Sequence, residues 1–156
     1  MKIIYVHHAH RDVGNPPSQN DDLTELGYED AKLTAKLLKM INIKAIYTSP
    51  YFRCRRTADI LNSGRNLPIY EDDRLNEFAD KSKESWIDVQ TRIMESIKDV
   101  VYKYEETDCV VFVTSGVNVA GFLNIVYNKK PSKEAPFIGI PSCSPLIFNI
   151  DKSFFE

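Results

Sequence analysis

At 156 residues, with 43% apolar and 27% charged side chains, the chain is long enough to bury its own core and has an ordinary globular composition. A net charge of −2 excludes a general pull toward nucleic acid or an anionic membrane surface. Cys54, Cys109 and Cys143 are odd in number, scattered and without a C-x-x-C pair, which excludes a disulfide framework and fits a reducing compartment.

The first element is a short β-branched strand, Lys2–His7. Its apolar run is too short for a signal peptide or a membrane span, so a cytoplasmic location is expected. Residues 11–22, with Gly14, Pro16 and Pro17, read as a loop. From Leu23 to Met40, Leu26, Ala31, Leu33, Ala35, Leu37 and Leu38 recur with helical spacing. Lys44–Thr48 is a second strand, and Ser49-Pro50 has the look of a helix cap and first turn, opening a helix that runs to Leu61. Leu67–Tyr70 is a third strand, and the charged stretch 71–83 is a loop. Glu84–Tyr104 is a long amphipathic helix, with Trp86, Val89, Ile93, Ile97, Val100 and Val101 on one face. Cys109–Val113 is a fourth strand. Ser115-Gly116 leads into a helix over Asn118–Tyr127. Residues 128–144 are a loop, and Pro145–Ile150 is an edge strand. The alternation implies right-handed β-α-β units in a single domain over residues 1–156: three α/β/α layers around a mostly parallel sheet.

In such sheets chemistry gathers at the carboxyl ends of the strands. Four stretches fall there or in connecting loops: His7–His10, Ser49–Arg53, Glu77 and Ser115–Asn118. All three histidines of the protein, His7, His8 and His10, lie in the first. A neutral imidazole such as His8 can attack phosphorus and pass the phosphoryl group to water; its plain alternative is a solvated loop histidine. Arg53, in the first turn of a helix, can grip a phosphate with paired bonds, or it can be one surface arginine beside Arg55 and Arg56. Glu77 can protonate a leaving oxygen, or simply be solvated in an acidic loop. Ser115 and Gly116 can donate to phosphate oxygens, or only cap a helix.

Taken singly, each of these residues has a plain structural reading. Together they resemble, in order, the motifs of the histidine phosphatase superfamily, the phosphoglycerate mutase-like proteins. Members carry Arg-His-Gly after the first strand, where this chain reads VHHAH. They carry LTxxGxxxA, here LTELGYEDA over residues 23–31, and YSSPxxRAxQTAxxL, here YTSPYFRCRRTADIL over residues 47–61. LxE is Leu75-Asn76-Glu77, E-S-x-x-D-V-x-x-R is ESWIDVQTR over residues 84–92, and the closing V-S-H-G is Val113-Thr114-Ser115-Gly116. The resemblance implies a phosphoglycerate mutase-like fold and phosphoryl transfer through a phosphohistidine. His8 would be the nucleophile, Glu77 the acid for the leaving group, and Arg53 a phosphate ligand beside His7, Ser115 and Gly116. His10, Arg11 and Asn15 are further candidates near the pocket. No cofactor or metal is expected, and the ligand would be a phosphorylated small molecule or phosphoprotein. No long insertion separates LxE from the E-S helix, as in the compact phosphatases of the family rather than the mutases.

The family arginine before the nucleophile is His7 here, the second histidine is Ser115 and the motif glycine is Ala9. Losing one preorganised donor costs roughly 10²–10³ in rate. A protonated His7 or His10, or a swing of Arg11 or Arg56, would replace part of the lost charge and give an acidic pH optimum. Two other functions compete: an inactive relative that binds a phosphorylated ligand or partner, and a metal site built on His7, His8 and His10.

Overall fold

The computed structural model describes residues 1–78, 83–134 and 139–156; the expected loops 71–83 and 128–144 lie partly outside these. Five strands form one sheet in the order β3-β2-β4-β1-β5. They are β1 (Lys2–His7), β2 (Ile43–Thr48), β3 (Ile69–Glu71), β4 (Cys109–Thr114) and β5 (Pro145–Asn149). β1, β2, β3 and β4 run parallel, and β5 pairs antiparallel with β1 at the edge. The helices are α1 (Glu25–Leu37), α2 (Phe52–Leu61), α3 (Trp86–Lys103) and α4 (Gly116–Asn128). No helix among the described residues is long and apolar enough to cross a membrane.

Strand alternation divides the core between the faces. Ile3, Tyr5, Val110 and Phe112 join α3 and α4, whereas Ile4, Val6, Val111 and Val113 join Leu38, Cys54, Ala58 and Leu61 on the α1 and α2 side. Ile43 and Ile46 share this second face despite their odd spacing, because the register shifts between Ile43 and Ala45. α3 starts on a capping box between Ser85 and Asp88 and buries Val89, Ile93, Ile97, Val100 and Val101, the face its sequence marks out. Trp86 packs partly buried at the rim of that core, with its indole N–H donating to the Glu134 carbonyl at 3.2 Å.

Three sequence expectations shift. α2 begins at Phe52 rather than at Ser49-Pro50, and its N-cap residue, Tyr51, makes no side-chain cap bond. The Ser49 hydroxyl is instead used across the sheet end, donating to Asn76 Oδ1 at 2.8 Å. The third strand starts at Ile69, because Leu67 is held by both backbone groups to the Asn62 side chain at the end of α2. In α1 the periodicity is helical but the leucines divide. Gly27, Ala31 and Thr34 face inward, with Leu38 just beyond the helix, while Leu26, Leu33 and Leu37 are 62%, 57% and 65% exposed.

Gly27 is where α1 meets the chain after β1. A Cβ there would lie 2.2 Å from the His10 carbonyl oxygen, a backbone atom that cannot rotate away. Gly27→Ala should therefore destabilise by about 3 kcal/mol, read by urea unfolding, whereas Gly139→Ala, with nothing within 4 Å, serves as the near-neutral control.

Candidate active site

β2, β4 and β1 are neighbours in the sheet, so their carboxyl ends open side by side; Thr48 pairs with Val113 and His7 with Thr114. The chain leaving β1 carries His7 and His8. The chain leaving β2 enters α2 with Arg53 in its first turn, and the chain leaving β4 enters α4 through Ser115.

His8 is 7% exposed. Its Nδ1 lies 2.8 Å from the Ala9 carbonyl, so Nδ1 carries the proton and donates. Nε2 is left with its lone pair, which accepts from Arg53 Nε at 3.0 Å. Burial, then the adjacent His7, push the His8 imidazole from 6.5 down to about 3, helped by Arg53 and Arg11 and opposed by the Ala9 bond. The ring is thus neutral throughout the physiological range and has the tautomer a nucleophile at Nε2 needs.

Arg53 is 3% exposed and reaches both His8 and Glu77, whose Oε2 lies 3.4 Å from Nη2. Its guanidinium also stacks 4.9 Å from the Tyr51 ring. The neighbouring arginines turn elsewhere: Arg55 to Glu71 at 3.4 Å, and Arg56 over the Phe52 ring and toward Asp22. Thr57, one turn after Arg53, donates to the Arg53 carbonyl and accepts from the Ala9 N–H, tying the first turn of α2 to the His8 loop.

Glu77 follows a 3₁₀ turn, Asp73–Leu75, and its stretch is held from four sides. Thr114 Oγ1 donates to the Leu75 carbonyl at 2.6 Å and Asn118 Nδ2 to the Asn76 carbonyl at 2.6 Å. Ser49 holds the Asn76 side chain, and Arg92 Nη2 donates to the Glu77 carbonyl at 2.7 Å while pairing with Glu84. The sequence assigns no role to Arg92, Asn118 or Thr57. For Arg92 a signal existed, since it closes the ESWIDVQTR motif.

His7 is half-buried. Its Nδ1–H donates to the Ile140 carbonyl at 2.9 Å, and its ring lies over Gly116, where a Cβ would come within 3.2 Å of Cε1. Burial lowers its pKa, with Arg53 adding to the effect and the Ile140 bond and Glu77 opposing it. Protonation of His7 therefore needs more acid than a free imidazole does. Ser115 caps α4, its Oγ accepting from the Asn118 N–H at 3.3 Å. Its hydroxyl proton, like the first-turn N–H groups of α4, remains a donor.

The remaining candidates part from the pocket. His10 is exposed and bonds Thr24 Oγ1, the N-cap of α1, at 3.0 Å. Arg11 is paired with buried Asp21 at 2.8 Å, which also accepts from the Ser18 N–H; it fastens the 11–22 loop, although its charge still reaches His8. Asn15 is exposed in that loop. The His7 and His8 rings meet edge-on with centroids 4.6 Å apart, but their ring nitrogens serve Ile140, Ala9 and Arg53, and His10 turns away to Thr24. Among the described residues no group of three or more His, Cys, Asp or Glu is arranged to hold a metal ion.

His8 couples stability to pH. Between pH 6.5 and about 3 the unfolded chain binds a proton at this imidazole that the folded chain excludes, so stability rises with pH in that window. The slope from this one group should approach, and not exceed, about 1.4 kcal/mol per pH unit. Denaturant unfolding from pH 7 to pH 4 should show a shallower acid loss in His8→Asn than in the wild type.

An imidazole whose Nε2 accepts from a buried guanidinium thus lies beside a carboxylate at the carboxyl end of a parallel α/β sheet. The family model for the histidine phosphatase superfamily (branch 1) matches residues 14–81. A probable phosphatase of Schizosaccharomyces pombe is 38% identical over 58 residues, covering 37% of this chain and 21% of that protein. The 2,3-bisphosphoglycerate-dependent phosphoglycerate mutase of Thermoplasma acidophilum is 30% identical over 130 residues, 62% of this chain and 65% of that protein. The chain thus spans less than two thirds of the length of either relative. The solved structure of Bacillus stearothermophilus YhfR superposes with a TM-score of 0.81 at 24% identity, covering 97% of this chain and 92% of that one. Residues 14–81 are thus similar to the histidine phosphatase superfamily, and the chain as a whole has the α/β fold of the phosphoglycerate mutase-like structures.

Proposed function

We propose that this protein is a histidine phosphatase that hydrolyses a phosphate monoester or phosphoramidate through a phosphohistidine at His8. The observation that carries the reading is the state of His8: buried, neutral, with Nδ1–H spent on the Ala9 carbonyl and the Nε2 lone pair turned to Arg53. Nε2 forms the bond to phosphorus as the P–O or P–N bond of the substrate breaks. Glu77 serves as the general acid that delivers a proton to the departing atom. Its carboxylate then takes a proton from the water that attacks phosphohistidine, returning His8 and releasing inorganic phosphate. Arg53 carries the charge of the phosphoryl oxygens, with the first turn of α4 and the Ser115 hydroxyl as neutral donors.

This leaves one arginine where the family uses two, and Arg53 is already shared with Glu77. A protonated His7 lies over Gly116, so it and the first turn of α4 would address the same anion. Turnover should therefore be slow at neutral pH and rise in acid as His7 gains its proton, with His8 still unprotonated until about pH 3. The test is hydrolysis of an aryl phosphate from pH 4 to 8, with and without chelator. Acid-favoured turnover indifferent to chelator supports the reading.

The charge deficit supports a second reading, a phosphate-binding protein without turnover. It predicts no hydrolysis at any pH together with a rise in melting temperature on adding phosphate or vanadate.

A further inference from the structure

α1 is built against the usual pattern. Its inward face is Gly27, Ala31 and Thr34, and its large apolar side chains point to solvent. Among the described residues nine large hydrophobics are exposed, and Leu26, Leu33, Leu37 and Met40 supply four of them. Met40, in the turn after α1, is 92% exposed. The other five are spread over the surface, on the loop at Val13, on β3, α3, α4 and β5. Single exposed leucines need no explanation, but a contiguous stripe on one helix marks a contact surface.

The spacing of the stripe is that of a helix–helix seam. Leu26 and Leu33 lie seven residues apart on α1, Glu29, Asp30, Lys36 and Leu37 fill the neighbouring positions of that face, and Met40 follows at the same interval in the turn beyond the helix. The charges along it are polarised. Glu25, Glu29 and Asp30 lie toward the amino end, and Lys32, Lys36 and Lys39 toward the carboxyl end. Leu33 and Lys36 also border a groove of about 1130 Å³ between α1 and α2, so the surface is concave on one side.

A two-fold axis imposes a rule on such a surface: it must be complementary to itself. Two copies of α1 laid antiparallel across Leu33 satisfy it. Leu33 then meets the partner's Leu33, Leu26 meets the partner's Met40, and Asp30 meets the partner's Lys36. A parallel pairing would set acid against acid and base against base. We infer that this face is an isologous homodimer interface, in which α1 packs antiparallel on α1 of a second copy about an axis at Leu33. The inference is independent of the chemistry at His8.

Sedimentation equilibrium of the full chain at low salt tests it. The wild type should be dimeric at roughly micromolar to tens-of-micromolar concentrations, weakening as salt screens the charged pairs. Leu33→Glu puts two carboxylates on the axis and should raise the dissociation constant at least about tenfold, with an unchanged melting temperature in dilute monomer because Leu33 lies outside the core. Asp30→Lys and Lys36→Asp should each weaken association, and the double variant should restore it, because the reversed pair meets itself again across the axis. Leu33→Cys should oxidise to a covalent dimer, the three native cysteines being buried. A wild type still monomeric at roughly millimolar concentration overturns the inference and assigns the stripe to another partner. A dimer indifferent to Leu33→Glu, or charge reversals that do not compensate, overturns it as well.

Discussion

His8→Ala is expected to remove turnover altogether and, with it, any acid-labile phosphoryl group on the protein. Removing the nucleophile of a covalent mechanism leaves the binding groups and the acid without the atom that forms the bond to phosphorus. A loss of at least about 10³ is the expected scale, comparable with the removal of a central member of a catalytic constellation. The variant also removes a buried group that accepts from Arg53 and donates to Ala9, so its folding must be measured alongside. His8→Asn is the companion: its amide N–H can take the place of Nδ1–H as donor to the Ala9 carbonyl, and an amide cannot carry phosphate through the cycle. Stopped turnover in both variants, with anion-induced stabilisation retained in His8→Asn, would separate loss of the nucleophile from loss of the pocket. Residual turnover in His8→Asn within about tenfold of the wild type would place the chemistry elsewhere.

Restoring the two family residues should work in the opposite direction. His7→Arg together with Ser115→His adds a permanent cation and an imidazole donor to a pocket that now has Arg53 alone and neutral hydrogen-bond donors. Since one preorganised donor is worth roughly 10²–10³ in rate, kcat/KM at pH 7 should rise at least tenfold, and the acid preference should fade because charge no longer depends on protonating His7. Stability should fall. The Ser115 cap on Asn118 N–H is lost, at about 1 kcal/mol, and Arg at position 7 gives up the Ile140 contact in a space where His7 already crowds Gly116. An unchanged rate, with the fold intact, would mean that this pocket is arranged for a task the family residues do not serve.

The elements legible in the sequence are those whose local signals agree with their tertiary use. β1, β4 and α3 combine an apolar pattern of the right period with clear boundaries, and their ends fall within a residue or two of expectation. α2 started late because Ser49, a good cap by type, spends its hydroxyl on Asn76 across the sheet end. β3 shifted because the Asn62 side chain mimics a strand partner for Leu67. No local pattern could have revealed either bond.

In the pocket, His8, Arg53 and Glu77 were legible through the motif order, and the fold brings them together. The positions of His10 and Arg11 were not legible, because Thr24 and Asp21 compete for them from a turn of chain whose path is set by packing. Arg92 was marked by its motif, but its role, like that of Asn118, lay beyond reach for a related reason. They act on backbone carbonyls of residues 76–77, and a carbonyl leaves no mark in the sequence. The leucines of α1 obey the helical period but not its usual orientation. Periodicity says that a stripe exists and leaves open whether core or a second molecule receives it.

The bond between Arg53 and His8 sets an order of events. A guanidinium that occupies the imidazole lone pair shields it from electrophiles in the empty pocket, so a reagent such as diethyl pyrocarbonate should label His8 slowly without ligand. In the proposed cycle an arriving phosphoryl group would draw the same guanidinium onto its oxygens and bare the nitrogen beneath. On the proposed mechanism the anion would unlock the atom that attacks it, and a neutral molecule of the same shape would leave the lock closed.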